Sequence, residues 1–336
     1  MRTTYAEELI CLKCREDIVV SRAENGSLGS RSELRCPACE HVYPIVDGVP
    51  HFSRNLNEQE ASASSFGFAW TAFWRGRFGK DSVFGLKIAG TTAYFLNSLG
   101  IEEQHLKGSK ILDAGTGSGR VPMSLRNHDC LVCAVDTHDG LGVVNKAIGT
   151  ASIHVYQADL MELPFKNNLF DYVWSSGVIH HTPDSREAFK ALASKVRPGG
   201  RLFISVYGKM LHPYRVFRRL LPFSSRLPLM LNYVLASVIS VPLYAAFNGV
   251  LFCVRLTACR QRPPYTVLGF SIENIDRKSY RAIVLNVFDQ LHPAYQREHS
   301  AEEVEGWFQS NGFKDIVATN VVGMVEMRGV KAETIQ

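Results

Sequence analysis

Three aspartates and a run of glycines carry the clearest chemical signal in the chain. Asp113 stands directly before Ala114-Gly115-Thr116-Gly117-Ser118-Gly119-Arg120, Asp136 closes the run AVD, and Asp159 with Leu160 follows SIHVYQA. Glycines at the end of a strand let the backbone turn tightly into a helix and leave room for a ligand against it. A carboxylate beside such a loop can meet an amino group, whereas it would repel a pyrophosphate. The spacing G-x-G-x-G also departs from the dinucleotide pattern G-x-G-x-x-G. These details favour S-adenosylmethionine over a nicotinamide cofactor. Asp113 is expected to reach its amino group, Asp136 both ribose hydroxyls, and Asp159 the neighbourhood of the adenine amino group. Ala114, Thr116, Leu160 and Ser176 extend the same expected site.

Cysteines supply a second cluster. Cys11-x-x-Cys14 and Cys36-x-x-Cys39 are separated by residues 15–35, close to the spacing of a zinc ribbon. Two tight turns that each point two thiolates at one ion complete a closed tetrahedral site, so the metal would be structural. Cys130 and Cys133 share the same spacing but alternate into the apolar run CLVCAVD, where burial in the core is the expectation.

Candidates for acceptor binding or for a general base are His180 and His181, after the run FDYVWSS, and Asp289, His292, Tyr295 and His299, before the helix AEEVEGWFQS. A histidine within reach of an acceptor hydroxyl can take its proton near neutral pH. Either His180 or His181 can equally satisfy backbone groups or cap a helix. Trp70 and Trp74 lie four apart and share one helix face, as a lid over the cofactor or as plain core.

These residues need a scaffold, and the sequence outlines one. From about residue 108, strand-length apolar runs alternate with helical stretches, the signature of a parallel sheet with crossover helices. SKILDAG, CLVCAVD, SIHVYQAD, FDYVWSS and GRLFISVYG read as five strands, with FKDIVATNV and GMVEMRGV as two more. Pro198, Gly199 and Gly200 are read as the stop of the helix SREAFKALASKVRPGG. Ser300 with Glu303 reads as a capping box opening the last helix. The expected fold class is α/β: a doubly wound, seven-stranded Rossmann-like sheet, with an N-terminal zinc ribbon and a helical apolar insertion. Its expected division is ribbon 1–52, linker and helical lid 53–107, the main domain 108–330, and the insertion 208–265 within it. The polar stretch 53–65 reads as linker.

The motifs LDAGTGSGR, AVD, QADLMELPF, FDYVWSSGVIHHTPD and LASKVRPGGRLFISVYGK resemble the class I S-adenosylmethionine-dependent methyltransferases over about residues 65–330. The resemblance implies that Asp113, Gly115, Gly117, Asp136 and Asp159 bind the cofactor, with Gly119 on the same loop. Residues 8–52, with the tail YPIVDGVPHF, resemble zinc-ribbon activator subunits of methyltransferases and ribbons fused to some of those enzymes. Together with the ribbon, SSFGFAWTAFW and VFDQLHPAYQREHSAEEVEGWFQSNGF resemble a branch of zinc-ribbon methyltransferases, a resemblance that implies small molecules or surface-glycan and lipid precursors as acceptors.

The chain has 336 residues, 46% hydrophobic and 21% charged, with a net charge of +5. That composition argues against a disordered tail, a collagen-like fibre or a disulfide scaffold. The N-terminus MRTTYAEELI lacks a secretory pattern, so the cytosol is the expected location. Charge is uneven. Residues 208–265 hold Lys209, Arg215, Arg218, Arg219, Arg226, Arg255, Arg260 and Arg262 and no acid, a local +8 that leaves −3 for the rest. Residues 227–254 carry no charge, a length that meets the criterion for a membrane span. A single span is topologically excluded, because strands before and after it must share one sheet. Pro228, Asn232, Pro242 and Gly249 are expected to break it into short helices forming a cap over the acceptor pocket. Its apolar face, flanked by arginines, also suits peripheral contact with an anionic bilayer at the inner membrane face. The resulting expectation is methylation, at oxygen, of a small or amphiphilic, lipid- or glycan-linked acceptor. RNA methylation is the alternative, disfavoured because the basic residues flank an apolar run without interleaved aromatics. An inactive scaffold is a third reading, and the intact glycine loop speaks against it.

Overall fold

Each Cys-x-x-Cys turn closes on its own backbone. The computed structural model, which describes residues 8–22, 32–52, 60–74, 82–83, 86–87, 90–149, 152–209, 221–224, 226–257, 266–267, 270–271, 280–321 and 323–333, shows the Arg15 amide donating to Cys11 O at 2.8 Å and the Glu40 amide to Cys36 O at 2.9 Å. The turns belong to a four-stranded antiparallel ribbon of β1 (Val19–Arg22), β2 (Ser32–Arg35), β3 (Val42–Val46) and β4 (Val49–Pro50). Both turns end on a non-glycine residue in the left-handed region, Arg15 at φ 69° and Glu40 at φ 58°. That conformation costs an L-residue about 1 kcal/mol. Glu40 is exposed, so Glu40→Gly is expected to relieve the strain and raise the melting midpoint by about 1–2 °C in a thermal scan. A lowered midpoint would show that the entropy glycine adds to the unfolded chain outweighs the strain.

The ribbon is built into the main domain. Ile10 donates to Pro164 O at 3.0 Å, Lys166 to Glu8 O at 3.1 Å and Phe52 to Gln157 O at 2.7 Å. Leu9, Cys11, Leu34, Cys36, Tyr43 and Phe52 share one buried apolar cluster with Leu112, Tyr156, Phe165 and Phe170. The stretch read as linker is corrected in part: helix α1 (Glu60–Trp74) already begins inside it, and residues 53–59 lie outside the described residues.

After a two-residue-stranded pair, β5 (Ser82–Val83) and β6 (Leu86–Lys87), the main domain runs α2 (Thr91–Leu99), β7 (Ser109–Ala114), α3 (Arg120–Leu125), β8 (Cys130–Asp136), α4 (Leu141–Ile148), β9 (Ile153–Gln157), β10 (Phe170–Ser176), α5 (Ser185–Lys195) and β11 (Val196–Tyr207). The insertion follows as α6 (Leu221–Ser224), α7 (Leu229–Thr257) and the pair β12 (Thr266–Val267) and β13 (Phe270–Ser271). The chain returns through α8 (Tyr280–Leu291), α9 (Ala301–Ser310), β14 (Phe313–Asn320) and β15 (Met324–Lys331). The sheet order is β14-β15-β11-β10-β7-β8-β9. β15 runs antiparallel to β11 and β14, and the other neighbours are parallel. The expected seven-stranded doubly wound sheet is therefore present. Side-chain alternation splits its core into two layers: Leu112, Cys133, Val173 and Leu202 face one, and Ile111, Val132, Trp174 and Phe203 the other. Cys130 and Cys133 are buried within β8, as expected of core residues.

Three local expectations change. The helix α5, capped by Asp184 Oδ1 accepting from the amides of Arg186 and Glu187, stops at Lys195. Pro198-Gly199-Gly200 lies within β11 instead, where the register jumps from Phe170↔Val196 to Tyr172↔Arg201 and residues 197–200 bulge. Ser300 Oγ accepts from the Glu303 amide at 3.3 Å, but the Glu303 carboxylate turns to His299 Nδ1 at 2.9 Å and Lys209 Nζ at 3.0 Å. The apolar run is not broken into short helices. α7 is continuous for 29 residues with Pro242 inside it. Pro242 is exposed, as is Val238, so water can meet the Val238 carbonyl that the missing N–H leaves, while Pro228 precedes the first turn, where proline is tolerated.

Candidate functional site

The strand order reverses between β7 and β10, and the carboxyl ends of those strands open a crevice where α/β sheets hold ligands. A cavity of about 370 Å3 occupies it. On one side β7 passes into the glycine loop. A Cβ on Gly115 (φ 85°) would lie 2.3 Å from Val178, and one on Gly117 (φ 53°) 3.0 Å from the Trp70 indole. No other residue fits a chain pressed this closely between β10's exit and α1. Asp136 fixes the loop, Oδ2 accepting from the Gly117 amide and Oδ1 from the Thr137 amide, both at 2.8 Å. Each carboxylate oxygen keeps a further lone pair for a ligand hydroxyl.

A fully buried histidine that sequence reasoning missed completes the clamp. His138 Nδ1 accepts from the Gly140 amide at 3.0 Å, which assigns the hydrogen to Nε2 and makes it the donor to Gly117 O at 3.0 Å. Its only signal was its place two residues beyond Asp136. Helix α1 lies across the loop: Trp70 lines the cavity, and Trp74 Nε1 donates to Ser118 O at 3.1 Å. Both tryptophans also pack in an apolar cluster with Phe73 and residues of α8.

Of the expected cofactor residues, Gly115, Thr116, Gly117, Asp136, Asp159, Leu160 and Ser176 line the cavity, while Asp113, Ala114 and Gly119 lie off its wall. Asp159 Oδ1 accepts from the Met161 amide at 2.9 Å. Asp113 is buried beneath the loop, and burial pushes its carboxyl up to about 7 against the pull of Thr116 and the Arg120 guanidinium. Arg120 is partly buried on the cavity wall, its guanidinium 6.0 Å above the Trp174 ring.

The opposite side gathers groups from distant elements. Tyr94 donates to Glu326 Oε1 at 2.8 Å, with Ser205 Oγ 3.4 Å from the same oxygen. Gln290 Nε2 donates to the Tyr207 hydroxyl at 2.8 Å, and that hydroxyl donates to Asp289 Oδ2 at 2.9 Å. Burial pushes the Asp289 carboxyl up, and the nearby His181 and Tyr207 pull it back. His181 Nδ1 lies 2.9 Å from Tyr295 O. A carbonyl only accepts, so the hydrogen is on Nδ1 and Nε2 is the basic nitrogen.

The expected acceptor residues divide accordingly. His181, Asp289 and Tyr295 line the cavity. His180 is fully buried, its ring 4.0 Å from that of Tyr207 and 4.2 Å from that of His181, and does not line it. His299 is corrected to a structural place, Nε2 at 3.0 Å from Ser185 Oγ and Nδ1 at 2.9 Å from Glu303 Oε1. His292 stacks on Phe288 with burial pushing it down to about 4. Arg120, Tyr94, Tyr207, Gln290 and Glu326 were not foreseen, because only the tertiary fold brings helices α2, α3 and α8 to the ends of strands β11 and β15.

At the ribbon, the Sγ atoms of Cys11, Cys14, Cys36 and Cys39 all lie within 4.8 Å of one another. Cys11–Cys39 is 3.6 Å and Cys14–Cys36 3.4 Å, near the ~3.8 Å edge of a tetrahedron with ~2.3 Å metal–sulfur bonds. The Tyr43 hydroxyl accepts from the Leu12 amide at 2.8 Å and so points its hydrogen at Cys11 Sγ, 3.3 Å away. Burial raises the Cys11 thiol, but Tyr43 and the amides of Cys14 and Lys13 outweigh it and bring it down to about 6. The donor set fits a thiophilic divalent ion.

Residues 112–204 match the family model described as a methyltransferase domain. Over that stretch the chain is similar to methyltransferase domains. A ubiquinone biosynthesis O-methyltransferase of Coxiella burnetii is 30% identical over 118 residues, 34% of this chain and 50% of that protein. The 27-O-demethylrifamycin SV methyltransferase of Amycolatopsis mediterranei is 31% identical over 107 residues, covering 28% and 37%. The chain thus spans half or less of the length of these relatives. Among solved structures, a complex between the Haloferax volcanii Trm112 methyltransferase activator and a putative methyltransferase is 14% identical, covering 82% of this chain and 99% of that one at a TM-score of 0.47. Magnesium protoporphyrin IX methyltransferase from Synechocystis, with bound SAH, is 14% identical, covering 82% and 100% at a TM-score of 0.44. The methyltransferase match falls on the stretch from β7 to β11, which holds the glycine loop and Asp136.

Proposed function

We propose that the protein transfers a methyl group from S-adenosylmethionine to an oxygen of a small or amphiphilic acceptor, and that Cys11, Cys14, Cys36 and Cys39 hold a structural zinc ion. One observation carries the reading: a single cavity has the glycine loop with Asp136 on one side and the His181, Asp289 and Tyr207 group on the other. Bound against the loop, the cofactor supplies an electrophilic methyl group on a sulfonium. The chain's own residues then have to align the acceptor, exclude water and accept one proton. Asp136 holds the ribose while anchoring the Gly117 amide. Trp70 and Trp74 close α1 over the loop. His181 Nε2 takes the acceptor's hydroxyl proton, and Asp289 balances the imidazolium. Four thiolates leave the zinc no open position, which suits a structural ion.

Asp113 gives this reading a pH signature. With its carboxyl near 7 in the folded protein against an ordinary 3.8, it holds a proton more tightly than the unfolded chain does. Its contribution to unliganded stability therefore falls as pH rises from about 4 to about 7. Asp113 lies beneath the loop and off the cavity wall, so its carboxylate would act on a ligand ammonium at the loop through its charge, and binding would displace that proton. Cofactor affinity should climb up to about pH 7 and level above it, changing about tenfold per unit well below that point. Calorimetry across this range reads the slope, and Asp113→Asn should flatten it. A flat wild-type profile would remove Asp113 from the amino-group site.

The activity test is transfer of radiolabelled methyl from S-adenosylmethionine into a cell extract separated into lipid, small-molecule, protein and RNA fractions. Label in lipid or small molecules supports the proposal. Label in RNA would replace the acceptor class, and cofactor binding with no label anywhere would overturn the enzymatic reading.

A further inference from the structure

Helix α7 has two apolar faces and the domain covers one of them. Leu229, Tyr233, Ala236, Ile239 and Leu243 recur at helical spacing and pack with Ile283, Val284, Val287 and Phe288 of α8. Tyr280 of α8 donates to Ser237 O at 2.5 Å, and Asn232 of α7 to Ser224 O at 2.6 Å. On the other face Met230, Leu231, Val234, Val238 and Val241 are exposed, Val238 by 63%, and Phe223 of α6 stands beside this end of the helix exposed by 74%. Contiguous exposure of this kind marks an interaction surface.

The helix is long and apolar enough to cross a membrane, but it cannot do so here. β11 precedes it, β14 and β15 follow it, and all three lie in one sheet. Its first face is moreover occupied by α8. An apolar helix face that is neither buried nor spanning can lie in the plane of a bilayer surface.

Charge identifies the bilayer. Between residues 208 and 265 there are eight basic residues and no acid. Lys209 is engaged by Glu303. Arg226 is exposed three residues before α7, and Arg255 falls in the helix's last turn. Arg215, Arg218, Arg219, Arg260 and Arg262 lie outside the described residues and enter only by their place in the sequence. An apolar run with arginines on both flanks and no acid matches acyl chains beneath anionic headgroups. It offers little to a protein partner whose surface carries both signs.

We propose that the exposed face of α7, with Phe223, docks this protein on an anionic phospholipid bilayer, the helix lying parallel to the surface. Where the methyltransferase reading also holds, the position of the helix has a consequence: α8, against which it packs, supplies Asn286, Asp289 and Gln290 to the cavity wall. A docked helix then places the membrane one helical layer from the acceptor site, and the substrate class is a lipid-embedded amphiphile.

The test is co-sedimentation of the full-length protein with vesicles of phosphatidylglycerol and phosphatidylcholine, against vesicles of phosphatidylcholine alone. Binding is expected to the anionic vesicles at an ionic strength of about 0.1 M, where the Debye length is about 10 Å, and to weaken at about 1 M, where it is about 3 Å. The double variant Val234→Asp/Val238→Asp alters two exposed positions one turn apart and should lower the partition about tenfold or more. Unchanged cofactor binding by this variant certifies its fold without reference to any acceptor. No binding to either vesicle, or equal binding by the variant, overturns the docking proposal. So does a wild-type dimer that ignores vesicles and dissociates in the variant, which would make the face a contact between two copies of the chain. Vesicle binding by a protein that transfers no methyl group would leave the docking standing and sink only the acceptor reading.

Discussion

Cys36→Ser is expected to lower the melting midpoint of the entire chain by more than about 10 °C, not merely to loosen a small appendage. Cys36 is wholly buried and lies in the same apolar cluster as strands β7, β9 and β10. A four-thiolate zinc site contributes about 10–16 kcal/mol to folding in isolated fingers. Losing about 7 kcal/mol of that from a chain of this size lowers the midpoint by about 10 °C. The damage should also reach the cofactor, because His51 bridges to Gln157 and the Phe52 amide bonds Gln157 O. Gln157 ends the edge strand β9, and Asp159 and Leu160 of the cavity follow at once. Scanning calorimetry with metal analysis, with and without a strong chelator, reads the effect, and Cys130→Ala, in the other apolar cluster, serves as a control outside the four-cysteine group. A separate low-temperature transition that left the main one and cofactor affinity intact would show that the ribbon is an independent module.

The same fusion marks a limit of reading along the chain. Spacing of the cysteines announces two knuckles, but nothing in residues 8–52 announces that Leu9 and Phe52 will meet Phe165 and Tyr156. By contrast, the sheet was legible because its information is local. CLVCAVD is apolar on both faces, as a central parallel strand must be, and VEMRGV alternates, as the half-buried antiparallel strand β15 does. The glycine-loop side of the cavity was legible for the same reason, since the glycine loop and Asp136 sit at the ends of their own strands. The opposite side was not. Glu326 meets Tyr94, more than two hundred residues earlier, only because β15 is inserted between β11 and β14. α7 was misjudged because the cost of an internal proline depends on whether its face is wet, and that follows from packing. His181 and His299 are both histidines near strand ends, and their side chains point to different places.

That difference between the two histidines yields a double dissociation. If His181 Nε2 is the general base, His181→Ala should reduce kcat by about 10²–10⁴-fold with cofactor affinity nearly unchanged. The wild-type rate should rise with pH as the imidazole loses its proton, and the variant should lose that limb. Asp289→Asn should give a smaller loss in kcat, because it leaves the base in place and removes the charge that balances the imidazolium. His299→Ala should leave kcat alone and lower stability by about 1–3 kcal/mol, since the buried Ser185 hydroxyl loses its partner and Glu303 keeps only Lys209. Steady-state kinetics on the acceptor recovered from the labelling experiment, beside a denaturant titration of each variant, separates the two effects. An acceptor that ionises unaided in water would need no base, and His181→Ala would then retain nearly full turnover across the pH range. In that case His181 and Asp289 are positioning residues, and the acceptor is an acidic oxygen such as a carboxylate.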